Sequence, residues 1–595
     1  MKNLVIFILA LVYLPGYSQD FMPPLIDWSG KSESLPVAKD HPWVTPGERD
    51  DLTTSPDYEE TVSWLGRLAN SSPLVEMKSL GKSEQGRDIW MLVASGDSHF
   101  DPALISAQEK PVLLFHGGIH AGEIDGKDAG MMLFRDIIHG EKGHLLDQAI
   151  LLFIPILNVD GHERRSEYGR VNQRGPREMG WRSNAQNLNL NRDYTKLETA
   201  GVRAVVEVIN AYDPDLYVDI HVTDGADYQY DITYGYVKTG GYSPAISAFL
   251  SDKFQPEVDQ ALSDWGHIPG PLLFAANGQD FSEGNVAFSF SPRFSHTYGD
   301  ARHLPSILIE NHSLKPFRQR VLGTYVFLEQ AIKTIGEHYK EIRDAIRADQ
   351  NQVKEELIVK FGFRESPADT MEFLGIASEK VKSEITGREY IQWKGEPITQ
   401  QVPSLLMDRP VQEVSTPEAY FISAEWTEVI EKLRLHGLKM ETLETSTELE
   451  LEFDFLTEYQ LSPSPLEGKI RFQSFETKPI TRRVKLVPGS VKIPVDQNLG
   501  ELASLLLEAE SVDSFFQWGY FMPILSQTEY METYIMEPMI QQLLKEDAAM
   551  RAEFEQAKAA NPDWVHSPRS IYRWFYERTP YFDQNWKVIP VGKLR

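Results

Sequence analysis

Two stretches of the chain carry residue types at spacings suited to a metal ion. In Phe115-His-Gly-Gly-Ile-His-Ala-Gly-Glu123, His120 and Glu123 lie three residues apart, just past an apolar run. In Leu216-Tyr-Val-Asp-Ile-His-Val222, a second apolar run ends on His221. Zinc that performs hydrolysis takes three protein ligands from neutral imidazole and carboxylate, and leaves a fourth position to water. Two ligands close in sequence and one distant meet that need. The pair shares one turn, and the distant ligand closes the site once a sheet has formed. Gly117, Gly118 and Gly122 let the backbone turn tightly around an ion. His116 competes as a ligand; its plainer reading is a strand-end histidine bonded to backbone. The His-Glu-x-x-His pattern of other zinc hydrolases is absent, since His162-Glu163 is followed by Arg-Arg-Ser.

Elements that could position these groups alternate from about Asp57 to Thr334. Tyr58 to Leu68, Asp128 to Ile138 and Ala200 to Ala211 read as helices. Pro111 to Phe115, Ala149 to Leu157, Leu216 to Val222 and Pro305 to Glu310 read as short buried strands. Continuous apolar strands separated by helices predict an α/β fold with a mixed, largely parallel sheet covered by helices on both faces. Ligands in such folds gather beyond the carboxyl ends of the strands. His116, His120, Asn158, His221 and Glu310 all fall at or just after strand ends.

Arg318 to Lys360 reads as a long helical stretch or two helices. Gly362 and Arg364-Glu-Ser-Pro367 mark a boundary, after which the texture changes. Glu448 to Phe455 alternates as a half-buried strand does, and Lys469 to Phe475 and Arg482 to Val487 continue the β character. Gln497 to Glu510, Pro538 to Ala559 and Pro568 to Tyr576 look helical, and Ser462-Pro-Ser-Pro465 is a loop. The aromatic cluster from Trp564 to Trp586 has helical spacing, which favours core over a sugar-binding platform. The expected organisation is a signal peptide (1–18), an N-terminal extension (19–54), an α/β catalytic domain (55–345), a helical linker (346–365) and a smaller accessory region of mixed β and α structure (366–595).

The whole chain agrees with a large exported protein. Its 595 residues are 42% hydrophobic and 25% charged, as in ordinary globular proteins, and leave room for more than one domain. A net charge of −28 with no clustered Lys/Arg face argues against a nucleic-acid partner. Met1 to Tyr13 offers one positive charge followed by an apolar run, and Gly16-Tyr17-Ser18 supplies small residues at a cleavage site. This reads as a signal peptide, with secreted or periplasmic localisation; the other reading is an uncleaved anchor, for which the run is short. No other segment is long and apolar enough to span a bilayer. With no cysteine, disulfides and thiolate chemistry are both excluded.

Between the two metal-binding stretches lie Asn158-Val-Asp-Gly161, Gly180-Trp-Arg182 and Asn187-Leu-Asn-Leu-Asn-Arg-Asp-Tyr194. Here the chain resembles the zinc carboxypeptidases of the carboxypeptidase A type. That family reads His-x-x-Glu, Asn-Pro-Asp-Gly, an Arg followed by Asn-Arg, a His and a late Glu, and all five elements occur here in that order. The resemblance covers about residues 55 to 340. It implies one zinc ion held by His120, Glu123 and His221, with Glu310 as general base. It implies that Arg182 holds the scissile carbonyl oxygen, while Asn191 and Arg192 grip the terminal carboxylate of a peptide or protein substrate with a free C-terminus. Val159 replaces the family's Pro, and Asn189 stands where the family often has an Asp near the zinc shell. The family's substrate-capping Tyr has no secure match; Tyr298 is a candidate that reads equally as a core residue. The implied activity is metallocarboxypeptidase hydrolysis. A peptidase or amidase acting on cell-wall-type peptides, and a catalytically silent binding protein of the same fold, are the alternatives.

Overall fold

The computed structural model describes residues 21–223, 225–288, 291–352 and 354–595. The expected signal peptide lies outside these. No helix among the described residues is long and apolar enough to cross a membrane. The chain divides into two compact units: one runs to Thr416 and takes in 431–439 and 495–506, and the other holds 417–430, 440–494 and 507–595.

The first unit is built on a mixed sheet. In chain order its strands are β1 (Val75–Lys82), β2 (Asp88–Ala94), β3 (Val112–Gly117), β4 (Ile150–Ile154), β5 (Leu216–Val222), β6 (Ile232–Gly235), β7 (Pro269–Pro271), β8 (Ala275–Asn277), β9 (Asp280–Phe288) and β10 (Ser306–Asn311). Eight of them pair in the order β1-β2-β4-β3-β5-β10-β6-β7. The centre, β4-β3-β5-β10, is parallel, while β2 and β6 join it antiparallel. Every residue of β3, β4 and β5 is buried, which is why these strands read as unbroken apolar runs. Helices flank the sheet. Asp125–His139 and Phe317–Glu337 share one core with Leu113, Phe115, Phe153, Val218 and Ile309.

The helical stretch expected to reach Lys360 stops earlier. Helices Phe317–Glu337 and Tyr339–Gln350 end before β11 (Glu356–Gly362). Leu357, Val359 and Phe361 are buried at alternate positions of β11, and that period of two overrides the helical reading. β12 (Asp369–Lys382) and β13 (Glu389–Met407) form a long hairpin, and β14 (Arg409–Ser415) pairs with β11. β13 runs parallel to β9, and the Gln229 amide donates to the carbonyls of Gly375 and Ile398. Residues 366–416 therefore belong to the first unit.

The second unit has its own sheet of β15 (Ala419–Ile422), β16 (Glu441–Thr442), β17 (Thr447–Leu461), β18 (Phe472–Leu486), β19 (Val491–Pro494) and β20 (Val591–Leu594), ordered β16-β19-β15-β20-β17-β18. β18 is one strand where the sequence suggests two. Pro479 breaks the pattern, but β18 is the edge strand, so the missing N–H need not cost a ladder bond. Helices Thr533–Glu546, Ala548–Ala560 and Pro568–Tyr576 enclose Met536, Phe554, Trp574 and Phe575, with Trp564 packed against them. The aromatic cluster is core.

Candidate metal centre

His120 and Glu123 sit on the turn between β3 and the helix Asp125–His139, and His221 sits near the end of β5. β3 and β5 are adjacent and parallel, so both stretches finish at the same sheet edge. His120 Nδ1 lies 3.1 Å from each Glu123 carboxylate oxygen and 3.1 Å from His221 Nδ1. His221 Nδ1 lies 2.8 Å from Glu123 Oε2. All three side chains are buried, with candidate ligand atoms within 4.8 Å of one another.

The outer ring nitrogens settle the tautomers. His120 Nε2 is 2.9 Å from Asn189 Oδ1, and His221 Nε2 is 2.8 Å from Asp219 Oδ2. Both partners present oxygens that only accept, so each ring donates its Nε2–H and turns the Nδ1 lone pair inward. Two such lone pairs and a carboxylate facing each other call for a shared positive charge, and this donor set fits zinc. Protonation of His221 would supply that charge in place of a metal ion. Burial opposes protonation of His221, yet the Asp219 carboxylate outweighs it and pushes the ring up to about 10. Burial dominates at His120 and pushes that ring down to about 4.

Glu123 also meets two guanidinium groups. Arg170 Nη1 lies 2.7 Å from its Oε1, and Arg182 Nη1 lies 3.1 Å from the same oxygen. Burial works against ionisation, but His120 and Arg170 hold the carboxyl well below its ordinary range. The two arginines differ in exposure: the Arg170 side chain is 9% exposed and that of Arg182 is 42%. Arg182 is the more open of the two. Its backbone is tied down by Asn158, whose Nδ2 lies 3.4 Å from the carbonyls of Ile119 and Arg182. The Asn158 Oδ1 accepts from Gly161 N and caps the helix Val159–Glu163. Asp160 accepts from Ser83, Gln85 N and Arg87, pinning the turn between β1 and β2. The Asn-x-Asp-Gly element is therefore a brace for the site.

Glu310 is register-paired with His221 across the parallel β5–β10 ladder, so the two side chains project to the same face. It is half-buried between buried Ile309 and Asn311. The Asn191 Oδ1 accepts from Ser295 N, and its Nδ2 lies 3.2 Å from His221 Nε2. Arg192 donates to the Asn191 carbonyl and lies over the Phe294 ring at 4.2 Å. Tyr298 is wholly buried, with its hydroxyl 2.8 Å from His436 Nδ1. It is a core residue, the second of its two readings. His116 stays outside the ligand cluster, and its Nε2 meets the Tyr217 hydroxyl at 2.6 Å rather than backbone.

Two residues of the site were not anticipated. Asp219 had a legible signal, a carboxylate inside an otherwise apolar strand two positions before a ligand. Arg170 had only an indirect one: Gly122 leaves space for it, since a Cβ there would lie 2.5 Å from Arg170 Cδ.

Residues 61–245 match the Peptidase_M14 zinc carboxypeptidase family. Over those residues the chain carries a zinc carboxypeptidase domain, and together with its carboxypeptidase relatives this supports a peptide-bond hydrolase. It is 23% identical over 521 residues to carboxypeptidase 2 of Trichophyton rubrum, covering 81% of this chain and 87% of that protein. A zinc carboxypeptidase of Saccharothrix mutabilis subsp. capreolus is 29% identical over 136 residues, or 22% of this chain and 28% of that one. Among solved structures, a putative carboxypeptidase A from Shewanella denitrificans aligns with a TM-score of 0.36 at 19% identity, over 48% of this chain and 70% of that one.

Proposed function

We propose that this chain is an exported zinc metallocarboxypeptidase that removes residues from the C-terminus of peptides or proteins. The convergence of the His120 and His221 Nδ1 atoms with the Glu123 carboxylate supports the reading. These three groups would hold the zinc ion. When bound, zinc supplies Lewis-acid activation of water and of the scissile carbonyl.

The protein's own groups do the rest. Glu310, on the same face as His221, takes the proton of the attacking water and returns it to the leaving amine. Arg182 balances the charge that grows on the carbonyl oxygen. Arg192 and Asn191 receive the substrate's terminal carboxylate, with Arg192 as the cation and Asn191 fixing it through its carbonyl. Residues 1–18 direct export.

A peptide library with free and amidated C-termini, digested with and without chelator and read by mass spectrometry, tests this. The expected result is stepwise loss of single C-terminal residues, abolished by chelator, restored by zinc and blocked by amidation. Internal cleavage, release from amidated ends or indifference to chelator overturns it.

A further inference from the structure

The two imidazoles are oriented by chemically different partners. His221 Nε2 meets the Asp219 carboxylate, and His120 Nε2 meets the Asn189 amide. The first partnership is the more built. Asp219 is wholly buried, and its Oδ2 accepts from both His221 Nε2 at 2.8 Å and the Ser295 hydroxyl at 2.5 Å. Its other oxygen lies 3.5 Å from His116 Nδ1, too far for a hydrogen bond. Ser295 in turn gives its N–H to Asn191 Oδ1. The carboxylate thus stands in a rigid frame drawn from β5 and the helix Ser295–Ala301. Asn189 is softer: its Oδ1 is shared with Asn191 N, and it carries no charge.

We propose that Asp219 is the principal positioning residue of the metal site, so that metal retention depends on the His221 arm more than on the His120 arm. This rests on the metal reading given above. A full negative charge behind an imidazole makes its inner nitrogen the stronger donor and locks the Nε2–H tautomer. A neutral amide orients a ring without strengthening it to the same degree. The Asn191 amide nitrogen, 3.2 Å from His221 Nε2, could favour the wrong tautomer by donating to that atom. Asp219 prevents this by accepting the proton that must then reside there.

The test is zinc affinity and the rate of zinc release to a chromophoric chelator, on the full chain, for wild type and for Asp219→Asn, Asn189→Ala, Asn189→Asp and the double variant Asn189→Asp/Asp219→Asn. Asp219→Asn is expected to weaken affinity roughly 10–100-fold and to speed release, the usual scale for losing such an outer partner. Asn189→Ala should cost clearly less. Asn189→Asp should tighten binding several-fold, and the double variant should recover most of the loss by moving the charge to the other ring. Melting of the metal-free proteins shows which variants fold. If Asp219→Asn misfolds, Asn189→Asp still decides, because unchanged affinity there overturns the charge argument. Equal losses for Asp219→Asn and Asn189→Ala, or no loss for Asp219→Asn, also overturn it. Failure of wild type to bind one zinc overturns the metal reading itself, an outcome distinct from these.

Discussion

At the scale of single residues, the site holds two arginines on one carboxylate, and their exposure separates their tasks. Arg170 is enclosed over Gly122, where it pairs with Glu123 and donates to the Val222 carbonyl. Arg182 is nearly half exposed, which suits the role proposed for it at the substrate's carbonyl oxygen. Removing a donor that acts mainly on developing charge typically costs about 10²–10³ in kcat. Arg182→Ala is therefore expected to lower kcat by that order with zinc content unchanged. If zinc is lost in step with activity, Arg182 serves Glu123 and not the substrate. On the role proposed for Glu310, Glu310→Gln keeps shape and removes proton transfer, so kcat should fall about 10²–10⁴-fold while KM moves little. A variant that retains most of its turnover would move the general base elsewhere.

At the scale of elements, the close approach of helix Asp125–His139 to the sheet sets the site, because Glu123 stands two residues before it. Gly126 and Gly130, one turn apart, face Ile220 and Phe153 with no room for a methyl group. The Phe153 ring is stacked on Phe115 at 4.7 Å and has little freedom to retreat. Gly130→Ala should cost about 1–3 kcal/mol by overpacking. Gly66, on helix Tyr58–Asn70, has open space around it, and Gly66→Ala should instead raise stability by about 0.5–1 kcal/mol. Thermal melts showing both variants shifted in the same direction would refute this account of the packing. The same elements show what was legible in sequence. β3, β4, β5 and β10 were readable because burial on both faces leaves only apolar residues, with the chemistry at their ends. β11 was not, because it follows a helix after a short connection and its alternation spans only a few residues. Tyr298 was ambiguous because nothing local distinguishes a capping Tyr from one whose partner, His436, lies 138 residues away.

At the scale of the whole molecule, acid stability turns on imidazoles kept neutral by burial. His162, His296, His303 and His312 are each pushed down to about 4, and His436 to about 3, with burial the leading cause throughout. An unfolded chain takes up protons at these rings near their ordinary value of 6.5, and the fold refuses them. Stability is therefore present above 6.5, is lost as pH falls from there towards 4, and levels off below. Each ring contributes at most about 1.4 kcal/mol per pH unit within that window. Carboxyls oppose them: burial pushes Asp300 up to about 7 and Asp128 to about 6, and raises Asp213, Asp259, Asp349, Glu501 and Glu508 as well, so the fold gains as they protonate. Only Asp300 and Asp128 among these carboxyls are displaced far, whereas all five imidazoles are, so the imidazoles prevail. Relief of self-repulsion from the −28 charge also favours the fold on acidification, but salt above 0.1 M, with a Debye length of about 10 Å, mutes that long-range term and leaves the buried groups unscreened. Melts from pH 7 to 4.5 at raised salt should accordingly show a falling midpoint for the first unit. His436 accepts from the Tyr298 hydroxyl at Nδ1 and gives its Nε2–H to the Thr195 carbonyl, so its neutral form is the one the core requires. His436→Gln should lose some stability at neutral pH and flatten the slope by up to one proton, so that its deficit against wild type narrows as pH falls. A deficit that stays constant across the range would mean that this ring does not titrate on unfolding, and the acid sensitivity would then have to arise elsewhere.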